Sequence, residues 1–328
     1  MSSIRKIDGL YRKPGLHGKS KVPLLVWLPL LLIAAAILIA VMLQTWLLQN
    51  GDLPSAPKVR KHAYRVAAVG DIACSPNDIN FNEGEGVVNG CRQQIIGHVV
   101  EQENTDAVFL VGGVQQGGAF TDYERSFVPY WRDIQSPIYS VPGEQDYAPG
   151  NLDGYNAAFS TFFEKSVYKD EGKSYYQFGL GQWDIFALDS TCTDQSDCGF
   201  DSTQYNWLTR QVTMGVAKCS VAFWHHPSGS SSTSGSDFAK LARDSGIDII
   251  LNAHERYYER SLVATTRQFI AGTGGMSTKK IEKPSMGSEK VIDDSFGYLY
   301  LELYPGRYTW QFINVDGEVL DNGRDVCS

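Results

Sequence analysis

The chain has 328 residues with a formal charge of −8, is 43% hydrophobic and 12% aromatic, and holds 32 glycines and 13 prolines. That composition excludes collagen-like and disordered classes and leaves enough apolar material for a packed, loop-rich core. At about 150 residues per domain, roughly two units fit at most.

The first 21 residues are basic, with Arg5, Lys6, Arg12, Lys13, Lys19 and Lys21 against Asp8 alone, so residues 22–328 carry −13. A body that acidic lacks the positive footprint of a nucleic-acid binder, and no nucleic-acid partner is expected. Val22 to Leu43 is free of charged residues. At about 1.5 Å of rise per residue it is long enough for a bilayer core. Pro23 and Pro29 fall in its first turns, where a missing N–H costs least. The sequence therefore predicts a basic cytoplasmic tail at 1–21, a transmembrane signal-anchor helix at 22–49, a short polar stalk at 50–63 and an ectodomain at 64–328. Lysine and arginine flanking the span keep the N-terminus cytoplasmic and place the C-terminal domain outside, as a single-pass membrane protein. A cleaved signal peptide is the competing reading, opposed by the length of the apolar stretch and the lack of a small-residue cleavage site.

Six cysteines, Cys74, Cys91, Cys192, Cys198, Cys219 and Cys327, fit an oxidising compartment. Six allow 15 pairings. Proximity favours Cys74 with Cys91 and Cys192 with Cys198, which leaves Cys219 for Cys327; zinc ligation is disfavoured because no CxxC spacing occurs.

Within the ectodomain, short β-rich runs occur at Arg65 to Val69, Ala107 to Val111, Ile138 to Val141, Ser220 to Trp224 and Asp248 to Leu251. Helical patterns lie between them at Arg92 to Gln102, Asp201 to Met214 and Ser236 to Asp244. Alternating strands and helices imply a mostly parallel sheet covered on both faces. Tyr175 to Phe178 and Trp183 to Leu188 read as a hairpin, and Gln268 to Ala271, Gly297 to Leu303 and Tyr308 to Asn314 as strands of a second, antiparallel layer.

Each strand of the first layer runs into a polar or glycine-rich turn: Gly70-Asp71, Gly112-Gly113, the PGEQDY turn from Pro142 to Tyr147, His225-His226, and Asn252-Ala253-His254. Ligands of open α/β sheets bind beyond the carboxyl ends of the strands, so Asp71, Glu144, Asp146, His225 and His254 are expected to converge on one site. Each alone would more simply be a turn or capping residue. His226 is expected to point away from His225, because side chains alternate along extended chain.

VAAVGDIAC, the PG-x-x-[DE]-Y turn, WHHP and NAHERYYER, in this order and spacing, resemble the calcineurin-like metallophosphoesterases, in particular the bacterial purple-acid-phosphatase-like branch. The resemblance covers residues 64–328. It implies a four-layer α/β/β/α sandwich with two metal ions at the strand ends, where paired cations activate water and stabilise a leaving oxygen. The residues depart from that pattern. Gly113 stands where the family has its bridging aspartate, and Gln116 where it has an aromatic hydroxyl. Glu144 and Gln145 replace the Asn-His of the family's GNH, so Gln145 offers no proton as a general acid, and Asp146 beside it stays a supporting residue. Arg256 replaces the second imidazole of GHxH.

These losses fall on the first metal, whose residual ligand is Asp71. The binuclear centre is not expected, and Arg256 is expected to occupy the vacated position and pair with Asp71. Glu144, His225 and His254 form a residual second site able to hold one Zn, Fe or Mn ion, or else to hydrogen-bond among themselves around water. Three functions follow from this reading. One is a membrane-anchored pseudo-phosphatase acting as an interaction or phosphate-binding module. Another is a one-metal phosphoester hydrolase in which Arg256 clamps phosphoryl oxygens. The third is a structural ectodomain with no small-molecule site.

Overall fold

The computed structural model describes residues 63–163, 173–191, 199–215, 217–229 and 233–328, together with 38, 39 and 42. Among the described residues no helix is long and apolar enough to cross a membrane. The expected anchor lies outside them except for Leu38, Ile39 and Met42, which are helical; the basic tail and all of the stalk but Ala63 also lie outside.

The ectodomain runs β1 (Tyr64–Val69), α1 (Gln93–Gln102), β2 (Ala107–Val111), α2 (Phe120–Ser126), α3 (Val128–Trp131), β3 (Ile138–Val141) and α4 (Asp153–Phe162). It continues through β4 (Tyr176–Leu180), β5 (Trp183–Ala187), α5 (Thr203–Met214), β6 (Cys219–Phe223), α6 (Thr233–Asp244) and β7 (Ile249–Asn252). The chain ends in β8 (Tyr258–Val263), β9 (Thr266–Ala271), β10 (Ser288–Ile292), β11 (Gly297–Tyr304), β12 (Arg307–Asn314) and β13 (Val319–Val326).

The strands make two mixed sheets, in the orders β13-β12-β11-β1-β2-β3 and β10-β8-β9-β7-β6-β5-β4. The parallel strands do not share one sheet, as the sequence suggested. β1, β2 and β3 are parallel in the first, and β5, β6, β7 and β9 in the second. Nor do the last strands form a layer of their own: β11 to β13 extend the first sheet antiparallel from β1, while β8 and β10 extend the second. Strands buried on both faces read as uniform apolar runs, so their pattern carries no mark of which sheet they join.

Side-chain alternation explains the layering. Val66, Ala68, Phe109 and Val111 face inward and pack against Ile185, Val221, Phe223 and Leu251 of the second sheet. Phe109 stacks on Phe223 with ring centroids 5.0 Å apart. The intervening Ala67, Val69, Val108 and Leu110 face outward onto Ile96 and Val100 of α1, Tyr123 of α2 and Tyr155 and Phe159 of α4. On the far side, Ala222, Trp224 and Ile250 are covered by Leu208 of α5 and Phe238 and Ala242 of α6. Each buried Val, Leu, Ile or Phe among them contributes about 1.5–3 kcal/mol, so the helix and sheet layers hold one another. Ser202 caps α5 by accepting a hydrogen bond from the Tyr205 N–H (3.1 Å).

Cys74–Cys91 and Cys219–Cys327 form disulfides as expected, with Cα separations of 5.2 and 5.4 Å. Cys192 and Cys198 lie outside the described residues.

Candidate metal centre

The carboxyl ends of β1, β2, β3, β6 and β7 meet at one edge of the sandwich, joined by backbone hydrogen bonds. Asp71 N donates to Gly112 O (3.0 Å), Gly70 N to Ala271 O (2.9 Å) and Ala253 N to His225 O (2.9 Å). Asp71, His254 and Arg256 all adopt positive φ (55°, 69° and 55°), an uncommon conformation for residues with a Cβ and one that clusters where a site is assembled.

Glu144 stands at the middle of this edge. Its Oε2 lies 2.8 Å from His225 Nε2 and 3.3 Å from His226 Nε2, and its Oε1 lies 3.3 Å from His254 Nδ1. Their ligand atoms all lie within 4.8 Å of one another. Two atoms each about 2.05 Å from a tetrahedral zinc stand roughly 3.3 Å apart, which the His226 and His254 separations match and the 2.8 Å approach of His225 undercuts. Orientation agrees. Glu144 Oε2, His225 Nε2 and His254 Nδ1 are buried from solvent without a hydrogen-bond partner, because their directions miss one another despite the short distances. Groups aimed at a common point behave this way; a self-satisfied hydrogen-bonded cluster does not.

The tautomer of His225 is fixed by its surroundings. Its Nδ1 lies 2.9 Å from Val111 O, a pure acceptor, so Nδ1 carries a proton and Nε2 faces the carboxylate. Burial opposes a charge on His225, but Glu144 and Asp71 outweigh it and raise the imidazole to about 9. Burial likewise opposes ionisation of Glu144, yet the three imidazoles hold its carboxyl well below the usual carboxylate range. Burial lowers His226.

His226 departs from expectation. β6 ends at Phe223 and the chain bends at His225-His226, so alternation stops and both rings reach Glu144. Ser190 holds His226 in place, with Oγ 2.9 Å from Nδ1 and accepting from its backbone N–H (3.0 Å). The sequence signal was Pro227, which ends the extended run one residue later.

Asp71 lies beside this set, its Oδ1 4.0 Å from His225 Nε2, and burial raises its carboxyl to about 6 against the pull of His225 and Arg256. The expected Asp71–Arg256 ion pair does not form. Arg256 Nη1 donates to Ser277 Oγ (3.1 Å), and Asp71 Oδ2 is buried without a partner, although the guanidinium remains near enough for its field to be felt. Gln116 turns to the Ser75 N–H (3.4 Å). Gly113 has φ 60°, and a Cβ there would meet Asp71 Oδ1 at 2.8 Å. Gln145 Nε2 donates to Glu144 Oε1 (3.4 Å).

Asp146 acts through the backbone. It accepts from the N–H groups of Gly143 (2.8 Å), Val114 (3.2 Å) and Gln115 (3.1 Å) and from Tyr123 Oη (2.5 Å). It thereby fixes the loop of Gly113 to that of Glu144.

A two-sheet α/β sandwich with histidines and carboxylates gathered at its strand ends is the metallophosphoesterase class of fold. The family model for calcineurin-like phosphoesterases matches residues 64–258, more than half of the chain, and the chain belongs to that family. No curated protein sequence matches it. Among solved structures it resembles purple acid phosphatase PPD1 from yellow lupin (Lupinus luteus), at TM-score 0.65 and 16% identity, covering 81% of this chain and 54% of that one. It also resembles GAP50, described as the anchor in the inner membrane complex of Plasmodium, at TM-score 0.60 and 16% identity, covering 82% and 90%. PhoD aligns at TM-score 0.54 and 12% identity, covering 83% and 70%. At these identities the likeness is one of fold.

Proposed function

We propose that this is a membrane-anchored, extracytoplasmic member of the family whose centre holds one divalent cation and binds a phosphate-type ligand or a protein partner, with ordinary phosphatase turnover lost. The observation carrying this reading is the uneven donor set. Glu144, His225, His226 and His254 offer four ligands to one position. On the other side Asp71 stands with Gly113, Gln116 and the permanently charged Arg256. A second dication there would meet the guanidinium without a bridging carboxylate to offset it; two unit charges 4 Å apart cost about 4 kcal/mol at an effective dielectric near 20. A bound cation would supply Lewis acidity toward a phosphoryl oxygen. The side chains would orient the anion, but Gln145 brings no acid for the leaving group.

Two disulfides agree with an oxidising, extracytoplasmic setting, and the charge-free segment within residues 22–49 would serve as the anchor. The fold is compatible with such a role, since GAP50 is described as an anchor. A weakly active one-metal hydrolase is the second reading. It is favoured by Arg256, whose guanidinium has no carboxylate partner among the described residues and so remains free to clamp an anion. Metal analysis of the purified protein with an aryl-phosphate assay decides. One ion per chain without turnover supports the module, one ion with turnover the hydrolase, and two ions per chain overturn both.

A further inference from the structure

A cavity of about 380 Å³ has Pro227 and Glu255 in its wall, the residues directly after His226 and His254. Consecutive Cα atoms lie about 3.8 Å apart, so this wall starts within a residue or two of the metal centre. Its charged lining residues are Arg243, Lys283 and Glu255. Arg243, from the last turn of α6, is half-buried and has no carboxylate partner among the described residues; the neighbouring Asp244 is paired with Lys240 (2.5 Å). Lys283 is exposed on the opposite loop, and Glu255 is neutralised by Lys279 (3.3 Å). Burial lowers Arg243 and outweighs the opposing pull of the adjacent Asp244. Tyr257 and Ile270 give the cavity an apolar side.

We propose that this cavity is a second anion subsite, taking a carboxylate carried on an apolar body, with Arg243 as its principal contact and Lys283 at its rim. A half-buried guanidinium without a partner is costly unless an anion completes it, and the planar fork suits an oxyanion in two-point contact. Combined with the proposed phosphate-binding centre, on which this part of the inference rests, the ligand class is a phosphoester bearing a second acidic group.

The test compares phenyl phosphate, 4-carboxyphenyl phosphate and terephthalate by calorimetry on the zinc-loaded full-length protein in detergent. The wild type is expected to bind 4-carboxyphenyl phosphate about tenfold more tightly than phenyl phosphate. Arg243→Gln should bring the two within twofold while leaving phenyl phosphate unchanged, and Arg243→Lys should retain part of the preference. Terephthalate, titrated after EDTA treatment so that no zinc competes for its carboxylates, probes the cavity alone; it should bind the wild type at least fivefold more tightly than Arg243→Gln. If phenyl phosphate does not bind and 4-carboxyphenyl phosphate binds no more tightly than terephthalate, the phosphate-centre reading fails and the subsite stands. Equal affinity of both phosphoesters, or terephthalate binding indifferent to Arg243, overturns the subsite. Lys283→Gln, on an exposed loop, gives a smaller loss in the same direction and guards against misfolding of the Arg243 variants.

Discussion

His225 Nε2 lies 2.8 Å from Glu144 Oε2, yet the nitrogen and the carboxylate oxygen are not aligned for a hydrogen bond. With Nδ1 committed to Val111 O (2.9 Å), the pair tolerates this approach only with a positive charge between or beside them. Zinc should therefore stabilise the protein and chelation should destabilise it. At a free concentration 100 times Kd the gain is about 2.7 kcal/mol. For a domain of this size that raises the melting temperature by about 5 to 10 °C. Glu144→Gln should abolish the shift, with zinc affinity lowered roughly 100-fold or more, since even outer partners of a ligand are worth 10- to 100-fold. Differential scanning fluorimetry with and without EDTA reads both, and an unchanged shift in Glu144→Gln would remove Glu144 from the centre.

His226→Ala separates a four-ligand site from a three-ligand one. With Nε2 3.3 Å from Glu144 Oε2, His226 should contribute directly, and its loss should weaken zinc binding by about tenfold or more in a competition titration. Ser190→Ala should have the same direction and a smaller size, because its hydroxyl sets the ring (2.9 Å to Nδ1) without reaching the metal position. Equal zinc affinity in His226→Ala and wild type would return His226 to the role of a packed bystander.

The contrast between His225 and His226 marks where sequence reading stops. Strands β1, β2 and β3 were legible to within a residue because their runs end at Gly70, Gly112 and Pro142, and the polar turns beyond β1, β3 and β7 pointed to Asp71, Glu144 and His254. Whether chain stays extended past a strand end depends on what it packs against, and alternation alone sent His226 the wrong way. The Asp71–Arg256 pair failed for a related reason. Charge complementarity was visible, but the positive φ of Arg256 and the position of Ser277 were not. The split of the parallel strands between two sheets was equally hidden, because β2 and β7 are buried along their whole length and read alike.

Asp146→Ala should be among the more destabilising single changes near the centre. It strands three buried N–H groups and Tyr123 Oη, each lost partner costing about 1–3 kcal/mol before relaxation. A total of about 3–5 kcal/mol is expected in urea unfolding. The loops of Gly113 and Glu144 would no longer be tied, so zinc affinity should fall as well. A variant destabilised to this extent with unaltered zinc affinity would show that the clamp does not position Glu144.

Gly113→Asp alone should lower stability in EDTA by about 2 kcal/mol or more. The residue sits at φ 60° and its new Cβ would crowd Asp71 Oδ1 at 2.8 Å, adding a second carboxylate to a buried one. Combined with Gln116→Tyr, Glu144→Asn, Gln145→His and Arg256→His, the same change should restore uptake of two ions per chain, because the added charge is then neutralised by metal. A folded five-site variant that takes up no second ion would mean that these positions have been wrongly matched to the family pattern.

Asp189, next to the Ser190 that holds His226, sets a pH dependence of stability of its own. It is buried, accepts from Tyr147 Oη (2.6 Å) and Thr191 N–H (2.8 Å), and burial raises its carboxyl from 3.8 to about 6 against those hydrogen bonds. Because the folded pKa lies above the unfolded one, the folded state binds the extra proton between the two values. The contribution is therefore complete below pH 3.8 and is lost as pH rises through about 6. At about 1.36 kcal/mol per pKa unit the loss is about 3 kcal/mol. Asp189→Asn does not titrate, so between pH 4 and pH 8 the wild type should lose about 3 kcal/mol more than the variant in EDTA-treated urea unfolding. Its amide can still accept from Tyr147 or Thr191, which keeps the comparison one of charge. Parallel stability curves for the two proteins across that range would place the ordinary carboxylate pKa at Asp189 and remove burial as the dominant influence on it.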